Sequence, residues 1–470
     1  MDTAVGETPL PETPFEPRIV AFACHWCTYS GADLAGLNRM NYPANVKLLR
    51  VPCSGRVNPQ YVLTALNKGC DGVLVCGCHP GDCHYATGNY FAKRRLMAFK
   101  RLLEFSGLQP ERFQVRWISG SEAGKFRDTV IQVCEEIRAL GPLEGDSWGV
   151  DKGGTGDGSC VPVFDEAKTG THEPSPCPQP SPPSPLSTPQ NALRERAREL
   201  LQSGEVSLVI GWGATRFENR TTPLFVTQAE EAEQLLFNEY CTNTLAKYAV
   251  REKELTSGRI ALATRGCESR AVNRMLADRQ LQRSDLVLLG LPCSGMRDDA
   301  TGAVLTKCAT CTHRNPVVFD EMLGEPAPEE EVDRFEELRG LEALDIRQRL
   351  AWFDAAWMRC IRCYACREVC PVCTCRECFV DQERVGWQGK QANRAENRFY
   401  NLTRVFHIGD RCIECGECER ACPMGLPLMA LNRKFVSDLD TLFASGEAGL
   451  SDEADNALGR YDLADTEEFM

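Results

Sequence analysis

Two cysteine runs near the end of the sequence constrain this chain more than any other feature. The first is Cys360-Ile-Arg-Cys363-Tyr-Ala-Cys366-Arg-Glu-Val-Cys370-Pro371; the second is Cys412-Ile-Glu-Cys415-Gly-Glu-Cys418-Glu-Arg-Ala-Cys422-Pro423. Both follow C-x2-C-x2-C-x3-C-P, the spacing by which one chain wraps an iron–sulfur cube. Three thiolates at short spacing fold around one cluster, and the fourth cysteine, beside proline, ligates the other cluster. By that rule one 4Fe-4S cluster takes Cys360, Cys363, Cys366 and Cys422, and the other takes Cys412, Cys415, Cys418 and Cys370. Zinc and disulfides are the alternatives. A doubled eight-cysteine pattern with both prolines in place favours clusters.

The remaining composition points the same way. With 470 residues the chain can build two or three domains with real cores. Its 26 cysteines are too dilute for a small disulfide scaffold and sit in clumps at ligand spacing. Residues 1–17 are acidic and proline-rich and read as a disordered N-terminus. They have no basic start and no apolar stretch, so no secretory signal is expected. No segment approaches the length of a membrane span. These features imply a cytoplasmic protein, where clumped thiols favour metal. Charge is uneven: residues 18–141 carry 16 Lys and Arg against 9 Asp and Glu, whereas the whole chain is −13. The basic region shows no nucleic-acid motif, so nucleic acid is not an expected partner. A docking face for an acidic protein, around Lys93, Arg94, Arg95, Lys100 and Arg101, is weighed against an ordinary solvated helix.

Patterning predicts an α/β chain: an N-terminal domain with an open parallel sheet, a second α/β domain, and a C-terminal two-cluster ferredoxin-like module. In residues 18–141 short apolar strands are expected at Arg18–Cys24, Val46–Cys53, Asp71–Cys78 and Phe113–Ser119. Helices are expected at Ala32–Met40, Pro59–Lys68, Asn89–Phe105 and Glu122–Leu140. That alternation argues a parallel sheet with covering helices. Residues 142–191 read as a proline-rich linker holding Cys160, Cys177 and His172, none with an expected ligand role. Such a linker should let the first domain dock and behave independently of the rest. Residues 192–325 return to α/β patterning, with strands at Val206–Trp212, Arg259–Thr264 and Asp285–Cys293. Residues 326–358 read as an acidic helical connector, 359–436 as the ferredoxin module, and 437–470 as an acidic, mobile tail.

Three further cysteine groups stand out. In the first domain Cys24-His-Trp-Cys27, Pro52-Cys53-Ser-Gly and Cys76-Gly-Cys78-His-Pro-Gly-Asp-Cys83-His84 follow successive strands. Ligands gather at the carboxyl ends of the strands in open α/β sheets, so these cysteines should converge. Spacing alone fits a small cluster or zinc. Cys70, Cys76 and Cys134 read as small buried hydrophobes, and His25, His79, His84 and His313 as hydrogen-bond donors beside ligands. The second group is Cys267, Cys293, Cys308 and Cys311, two at strand ends and two in a C-x2-C clip. It suits a third 4Fe-4S cluster or zinc. The third is Cys373, Cys375 and Cys378, which could support the neighbouring cube, bind a separate metal or only pack; their density after Pro371 argues against packing alone. Gly211-Trp-Gly213 follows a strand but lacks the last glycine of a dinucleotide fingerprint.

Residues 18–140, through Cys24-His-Trp-Cys27-Thr-Tyr-Ser-Gly-Ala-Asp, Arg50-Val-Pro-Cys53-Ser-Gly-Arg and Gly77-Cys78-His-Pro-Gly-Asp-Cys83-His-Tyr, resemble the delta subunit of methyl-viologen-reducing hydrogenases. That resemblance implies one 2Fe-2S cluster and electron transfer to the flavin-bearing A subunit of heterodisulfide reductase. Cys24, Cys27, Cys53, Cys78 and Cys83 match the family's cysteines; four are needed, so one is surplus. Residues 205–322 resemble the beta subunits of deazaflavin-reducing hydrogenases and formate dehydrogenases. They do so through Arg220-Thr-Thr-Pro-Leu-Phe, Gly266-Cys-Glu-Ser-Arg, Gly290-Leu-Pro-Cys-Ser-Gly and Cys308-Ala-Thr-Cys-Thr-His-Arg-Asn-Pro. Some members of that family bind FAD, but here the ferredoxin module follows the α/β part.

The expected function is therefore iron–sulfur electron transfer within a larger complex. The chain would link the catalytic subunit of a formate dehydrogenase or hydrogenase to a flavoprotein like heterodisulfide reductase A. The alternatives are a flavin-dependent oxidoreductase component reducing a deazaflavin or nicotinamide carrier, and a zinc-rich scaffold. One small cluster and three cubes imply about fourteen iron atoms per chain.

Overall fold

The computed structural model describes residues 15–143 and 188–469. Most of the expected linker, with Cys160, His172 and Cys177, and most of the expected disordered N-terminus lie outside the described residues. The chain divides into two compact units. One comprises residues 1–150, 333–449 and 453–470, and the other residues 151–332 with 450–452.

The first unit begins with the expected alternation: β1 (Ile19–Cys24), α1 (Thr28–Leu37), β2 (Val46–Val51), α2 (Pro59–Asn67), β3 (Gly72–Gly77), α3 (Gly88–Phe105), β4 (Phe113–Trp117) and α4 (Ala123–Leu140). The strands are parallel in the order β2-β1-β3-β4. Strand β3, buried at every position, is a continuous apolar run, as a strand covered on both faces must be. Helix α2 starts where Asn58 caps the backbone N–H of Gln60 and Pro59 fills the first turn, whose N–H has no intrahelical partner.

The second unit contains α5 (Pro189–Gln202), β5 (Leu208–Ala214), β6 (Thr221–Val226), β7 (Leu235–Leu236), α6 (Ala246–Leu255), β8 (Ile260–Thr264), α7 (Gly266–Ala277), β9 (Leu286–Gly290), α8 (Thr306–Ala309) and β10 (Glu321–Met322). Three of the strands match sequence expectation within a few residues. The sheet runs β10-β9-β8-β5-β6, and β6 is antiparallel to β5. Strand β6 is hidden in the sequence because Pro223 interrupts it; its edge position tolerates the missing N–H. Helix α5 begins inside the expected linker, capped by Thr188 with Pro189 in its first turn.

The chain then returns to the first unit with α9 (Leu338–Glu342), α10 (Ile346–Arg359), α11 (Ala365–Glu368), α12 (Arg394–Ile408), α13 (Glu417–Arg420) and α14 (Leu428–Phe443). Helix α10 opens with an Asp345/Gln348 capping box. The expected helical connector is thus only partly helical, and α14 runs into the expected tail.

Two expectations are corrected within this unit. The N-terminal sheet does not stand apart from the ferredoxin module, because one apolar core spans both. Phe99 on α3 meets Phe113 and Phe406, Phe105 meets Phe353, and Tyr61 on α2 stacks on Trp387. Asn67 also donates to the Ala395 carbonyl across this junction. The proline-rich segment dominates the sequence signal, whereas the apolar faces of α2 and α3 carry no mark of what they cover.

The second correction concerns the tail, which is packed. Asp465 pairs with Arg94 at 2.5 Å, both side chains nearly buried. Glu467 lies 3.7 Å from the Lys93 ammonium, and Glu468 is 2.9 Å from Arg101. Phe469 is buried against Trp117. The basic residues of α3 therefore receive the chain's own acidic segment. Leu458 ties the same segment to Asp410, just before the second cysteine run.

A buried pair broken from one side leaves an uncompensated charge, costing about 3 kcal/mol. Asp465→Ala should lower the urea midpoint by a corresponding amount and open the tail to protease. Asp455→Ala removes an exposed pair with Arg460 and should change stability by less than about 0.5 kcal/mol.

Candidate functional site

The N-terminal cysteines gather where the sequence places them. Cys24 ends β1, Cys27 precedes α1, Cys53 follows β2, and Cys78 and Cys83 lie between β3 and α3. Their loops meet because parallel strands deliver all their carboxyl ends to one edge. The Cys24 and Cys78 sulfurs are 3.6 Å apart, and those of Cys53 and Cys83 are 3.7 Å apart. Cys24 is also hydrogen-bonded with Cys53, and Cys27 with Cys78, so all five sulfurs form one connected group.

Their titration reflects the crowding. Hydrogen bonds from Cys53 and Cys78, aided by the backbone N–H groups of Trp26 and Cys27, hold Cys24 far below the usual thiol range. The same bond to Cys24, then burial, pushes Cys53 up; the bond to Cys24, burial and the bond to Cys27 push Cys78 up. Burial is the main cause of the rise at Cys27. One thiolate suppresses the others, which is how adjacent like charges behave without a cationic centre. A polynuclear iron centre would remove that conflict by neutralising several thiolates together.

The surrounding residues fit close approach. A Cβ at Gly88 would stand 2.6 Å from the Cys53 sulfur and 3.3 Å from that of Cys83. Asn89 donates to the carbonyls of Cys78 and His79. The His79 and His84 side chains find other partners. His79 pairs with Glu122 at 2.7 Å, and His84 stacks on Trp26 with ring centroids 3.7 Å apart. Cys76 and Cys134 are core residues as expected, and Cys70 packs at the core's margin.

In the ferredoxin module the crosswise pattern appears directly. Cys360, Cys363, Cys366 and Cys422 line one small cavity, together with Tyr364, Tyr400, Pro423 and Leu426. The two cysteine runs also share an unusual backbone. Arg362 and Tyr364 adopt left-handed conformations, with φ of 50° and 61°; their counterparts Glu414 and Gly416 do likewise, at 58° and 67°. Such conformations cost non-glycine residues about 1 kcal/mol or more. Here they turn the chain so that backbone N–H groups face sulfur: that of Arg362 bonds Cys360, and that of Glu414 bonds Cys412. Burial raises Cys412 and Cys418 to about 12, and each feels the Cys370 sulfur.

Sequence reasoning misses the helix that faces both runs. Asn397, Tyr400, Asn401 and Arg404 recur on α12 at helical spacing, on one face. Asn397 donates to the Cys360 carbonyl, Tyr400 Oη lies 3.3 Å from the Cys366 sulfur, and Arg404 donates to the Cys366 carbonyl at 3.0 Å. A polar stripe within an otherwise buried helix is the signal that could have found it. Asn432 on α14 similarly donates to the Cys418 sulfur at 3.5 Å.

In the second unit Cys267 lies in the first turn of α7, Cys293 follows β9, and Cys308 lies in α8. Burial pushes Cys267 and Cys293 up, and the charges of Cys267 and Cys293, and of Cys293 and Cys308, act on each other. Cys311 follows on the turn, its N–H bonded to the Cys308 carbonyl. The Gly295 N–H bonds the Cys293 sulfur at 3.4 Å. Beneath them Arg265 and Glu268 form a wholly buried pair at 2.6 Å, with Arg265 over the Trp212 ring.

The last cysteines do not assemble. Cys373 packs beside Cys370, Cys375 is exposed, and Cys378 bonds Arg367. None of the 24 described cysteines is in a disulfide, so that alternative has no support among the described residues. Nor is any described group of three or more His, Cys, Asp or Glu arranged around a single metal ion. No described helix is long and apolar enough to cross a membrane.

Comparison with known proteins locates two of these regions. Residues 19–141 match the family described as methyl-viologen-reducing hydrogenase, delta subunit, and residues 356–426 match a 4Fe-4S dicluster domain. The chain is 52% identical over 130 residues to the iron-sulfur D subunit of an F420-non-reducing hydrogenase from Archaeoglobus profundus. That match covers 28% of this chain and 95% of the relative. The iron-sulfur D subunit of the vhc F420-non-reducing hydrogenase from Methanococcus voltae is 48% identical over 128 residues, 27% of this chain and 89% of the relative. The A subunit of the ferredoxin:CoB-CoM heterodisulfide reductase from Methanosarcina mazei is 44% identical over 127 residues, 27% of this chain but 16% of that protein. Both family models lie outside residues 205–322, whose resemblance to beta subunits rests on the sequence strings.

Gly88→Ala should lose any iron held through Cys53 and Cys83, while circular dichroism and the ferredoxin signals stay unchanged. Gly124→Ala, which faces open space, should keep its full iron content.

Proposed function

Because the chain belongs, through residues 19–141, to the methyl-viologen-reducing hydrogenase delta-subunit family, we propose that it is an iron–sulfur electron-transfer subunit. It would relay electrons between the catalytic subunit of a dehydrogenase or hydrogenase and a heterodisulfide-reductase-like flavoprotein. The observation that supports this most is the joining of two cysteine centres in one body. The five converging N-terminal cysteines and the four-cysteine cavity of the dicluster domain belong to one unit, in which an apolar core runs from the N-terminal sheet into the dicluster region.

In this reading four of Cys24, Cys27, Cys53, Cys78 and Cys83 hold a 2Fe-2S cluster. Cys360, Cys363, Cys366 and Cys422 hold one 4Fe-4S cluster; Cys412, Cys415, Cys418 and Cys370 hold another; Cys267, Cys293, Cys308 and Cys311 hold a third. When bound, the clusters supply the one-electron chemistry. The protein's own groups do the rest. Thiolates fix each centre in place, buried aromatic and aliphatic side chains exclude water, and hydrogen bonds from Asn432, the Gly295 N–H and the Arg362 and Glu414 N–H groups stabilise sulfur charge. The delta-type domain occurs in relatives in two settings, as a separate hydrogenase component and within a larger heterodisulfide reductase protein. This supports a flavoprotein as the neighbour of residues 19–141.

Anaerobic purification of the native protein tests the reading. Iron and acid-labile sulfide should approach equal amounts, with about fourteen irons per chain. A value near eight would leave only the ferredoxin pair and remove the assignments in both α/β regions. The reductase-A-like flavoprotein and the catalytic subunit of a dehydrogenase or hydrogenase should co-purify. Bound flavin in the chain itself, with neither partner present, would favour the flavin-dependent oxidoreductase instead.

A further inference from the structure

The two ferredoxin-type cysteine runs are alike in spacing and unlike in surroundings. Ile361 and Ile413 stand at the same place in each, after the first cysteine, yet Ile361 is 56% exposed and Ile413 3%. Cys363 is exposed, whereas its counterpart Cys415 is half-buried. Charge divides the same way: Arg362 and Arg367 of the first run correspond to Glu414 and Glu419 of the second. Glu414 is buried with Arg334 and Arg433, and the Leu458 N–H bonds Asp410 just before Cys412, so the chain itself covers the second run. Wrapping a cluster asks the same of both runs, so the difference between them has another cause.

The first run opens outward. Ile361, Arg362 and Cys363 stand in the wall of the four-cysteine cavity. Met358, 58% exposed, and Arg359 lie immediately before Cys360, at the end of α10. Arg362 donates to the Gly389 carbonyl, which brings Lys390 beside the run. Arg359 and Lys390 are exposed and enter no ion pair among the described residues. The nearby Arg367 is taken up by Glu368 and Asp381, and the Glu396 carboxylate accepts from the Gly389 N–H at 2.7 Å. Two unpaired cations therefore flank two exposed apolar side chains and an exposed cysteine.

We propose that Met358, Arg359, Ile361 and Lys390 form the docking surface for an acidic redox protein, which exchanges one electron per encounter with the centre held by Cys360, Cys363, Cys366 and Cys422. One centre is oxidised as the other is reduced. The proposal rests on the reading that this set binds a cube. Arg359 and Lys390 attract an acidic face and orient it, so that the partner's centre meets the edge exposed at Cys363. Small contacts of this kind suit brief electron-transfer encounters.

The test uses the full-length, cluster-loaded chain and a small acidic 2[4Fe-4S] ferredoxin as the probe. Its dissociation constant, and the rate at which the reduced probe passes electrons to the chain, are measured across a salt series. Binding should weaken with salt. Arg359→Glu and Lys390→Glu should each weaken binding and slow transfer about threefold or more at low salt, with cube signals and iron content unchanged. Lys47→Glu, an equal change of charge at an exposed site on β2, should leave both within about twofold. Equal effects of all three variants would reduce the attraction to net charge and overturn the proposal. So would a wild-type chain that binds no probe, or Arg359→Glu and Lys390→Glu variants that bind as wild type does. A salt-sensitive dimer of the full-length chain that Arg359→Glu dissolves would assign the surface to a second copy and likewise overturn it. A wild-type protein without cube signals in electron paramagnetic resonance would sink the underlying reading along with the docking surface, whereas intact cube signals with any of the other adverse results sink the docking surface alone.

Discussion

Mutual repulsion among crowded thiolates is the constraint on which the rest of this structure depends. Sulfurs held 3.6–3.7 Å apart cannot all ionise on their own. The fold nevertheless brings five of them together at the carboxyl edge of a parallel sheet, using short loops and a glycine at Gly88 where a side chain would collide. It does the same in the ferredoxin module at the cost of left-handed residues such as Tyr364. Strain and repulsion concentrated in this way would be relieved by a bound cation.

That constraint also explains the distribution of polar groups in the core. A buried amide or hydroxyl is destabilising unless bonded. Asn397, Tyr400 and Asn432 are placed where cysteine carbonyls or sulfurs can bond them. The same face of α12 that serves the cysteines lies on a helix whose other contacts reach α2 of the N-terminal sheet through Asn67. One helix thus serves both the ligand shell and the joint between the two cysteine-bearing regions. A change in α12 is felt at both, which is why these regions are better understood as one body than as two domains on a tether.

The regular parts of this architecture are legible in the sequence because they have periodic signals. All four strands of the first sheet, ending at Cys24, Val51, Gly77 and Trp117, match expectation within two residues, and the five cysteines converge as expected. The crosswise placement of Cys422 follows from proline-marked spacing. What escapes has no local signal or a misleading one. Pro223 conceals an edge strand, and the acidic composition of the tail conceals its docking, since composition reports solvation and not the basic partner waiting on α3. The long proline-rich segment suggests independence between regions that the apolar faces of α2 and α3 in fact join. Pairings between distant segments depend on shape, which neither periodicity nor charge counts encode.

The docked tail changes how the charge asymmetry should be understood. The basic residues of α3 suggest recruitment of an acidic partner, yet Arg94, Lys93 and Arg101 already face Asp465, Glu467 and Glu468. A segment of the same chain acts at an effective concentration that a diffusing partner does not match. Phe469, buried against Trp117, adds apolar attachment that salt does not screen. A partner drawn by charge alone would have to displace both. The approach to the N-terminal sulfurs is different in character: Trp26 and Tyr85 are exposed there, linked by a hydrogen bond of 3.2 Å, with His84 stacked between the two loops that carry Cys27 and Cys83. Aromatic side chains of this kind give large contact area at small entropic cost. The surface nearest the sulfurs is thus aromatic, while the basic helix serves the interior of the protein.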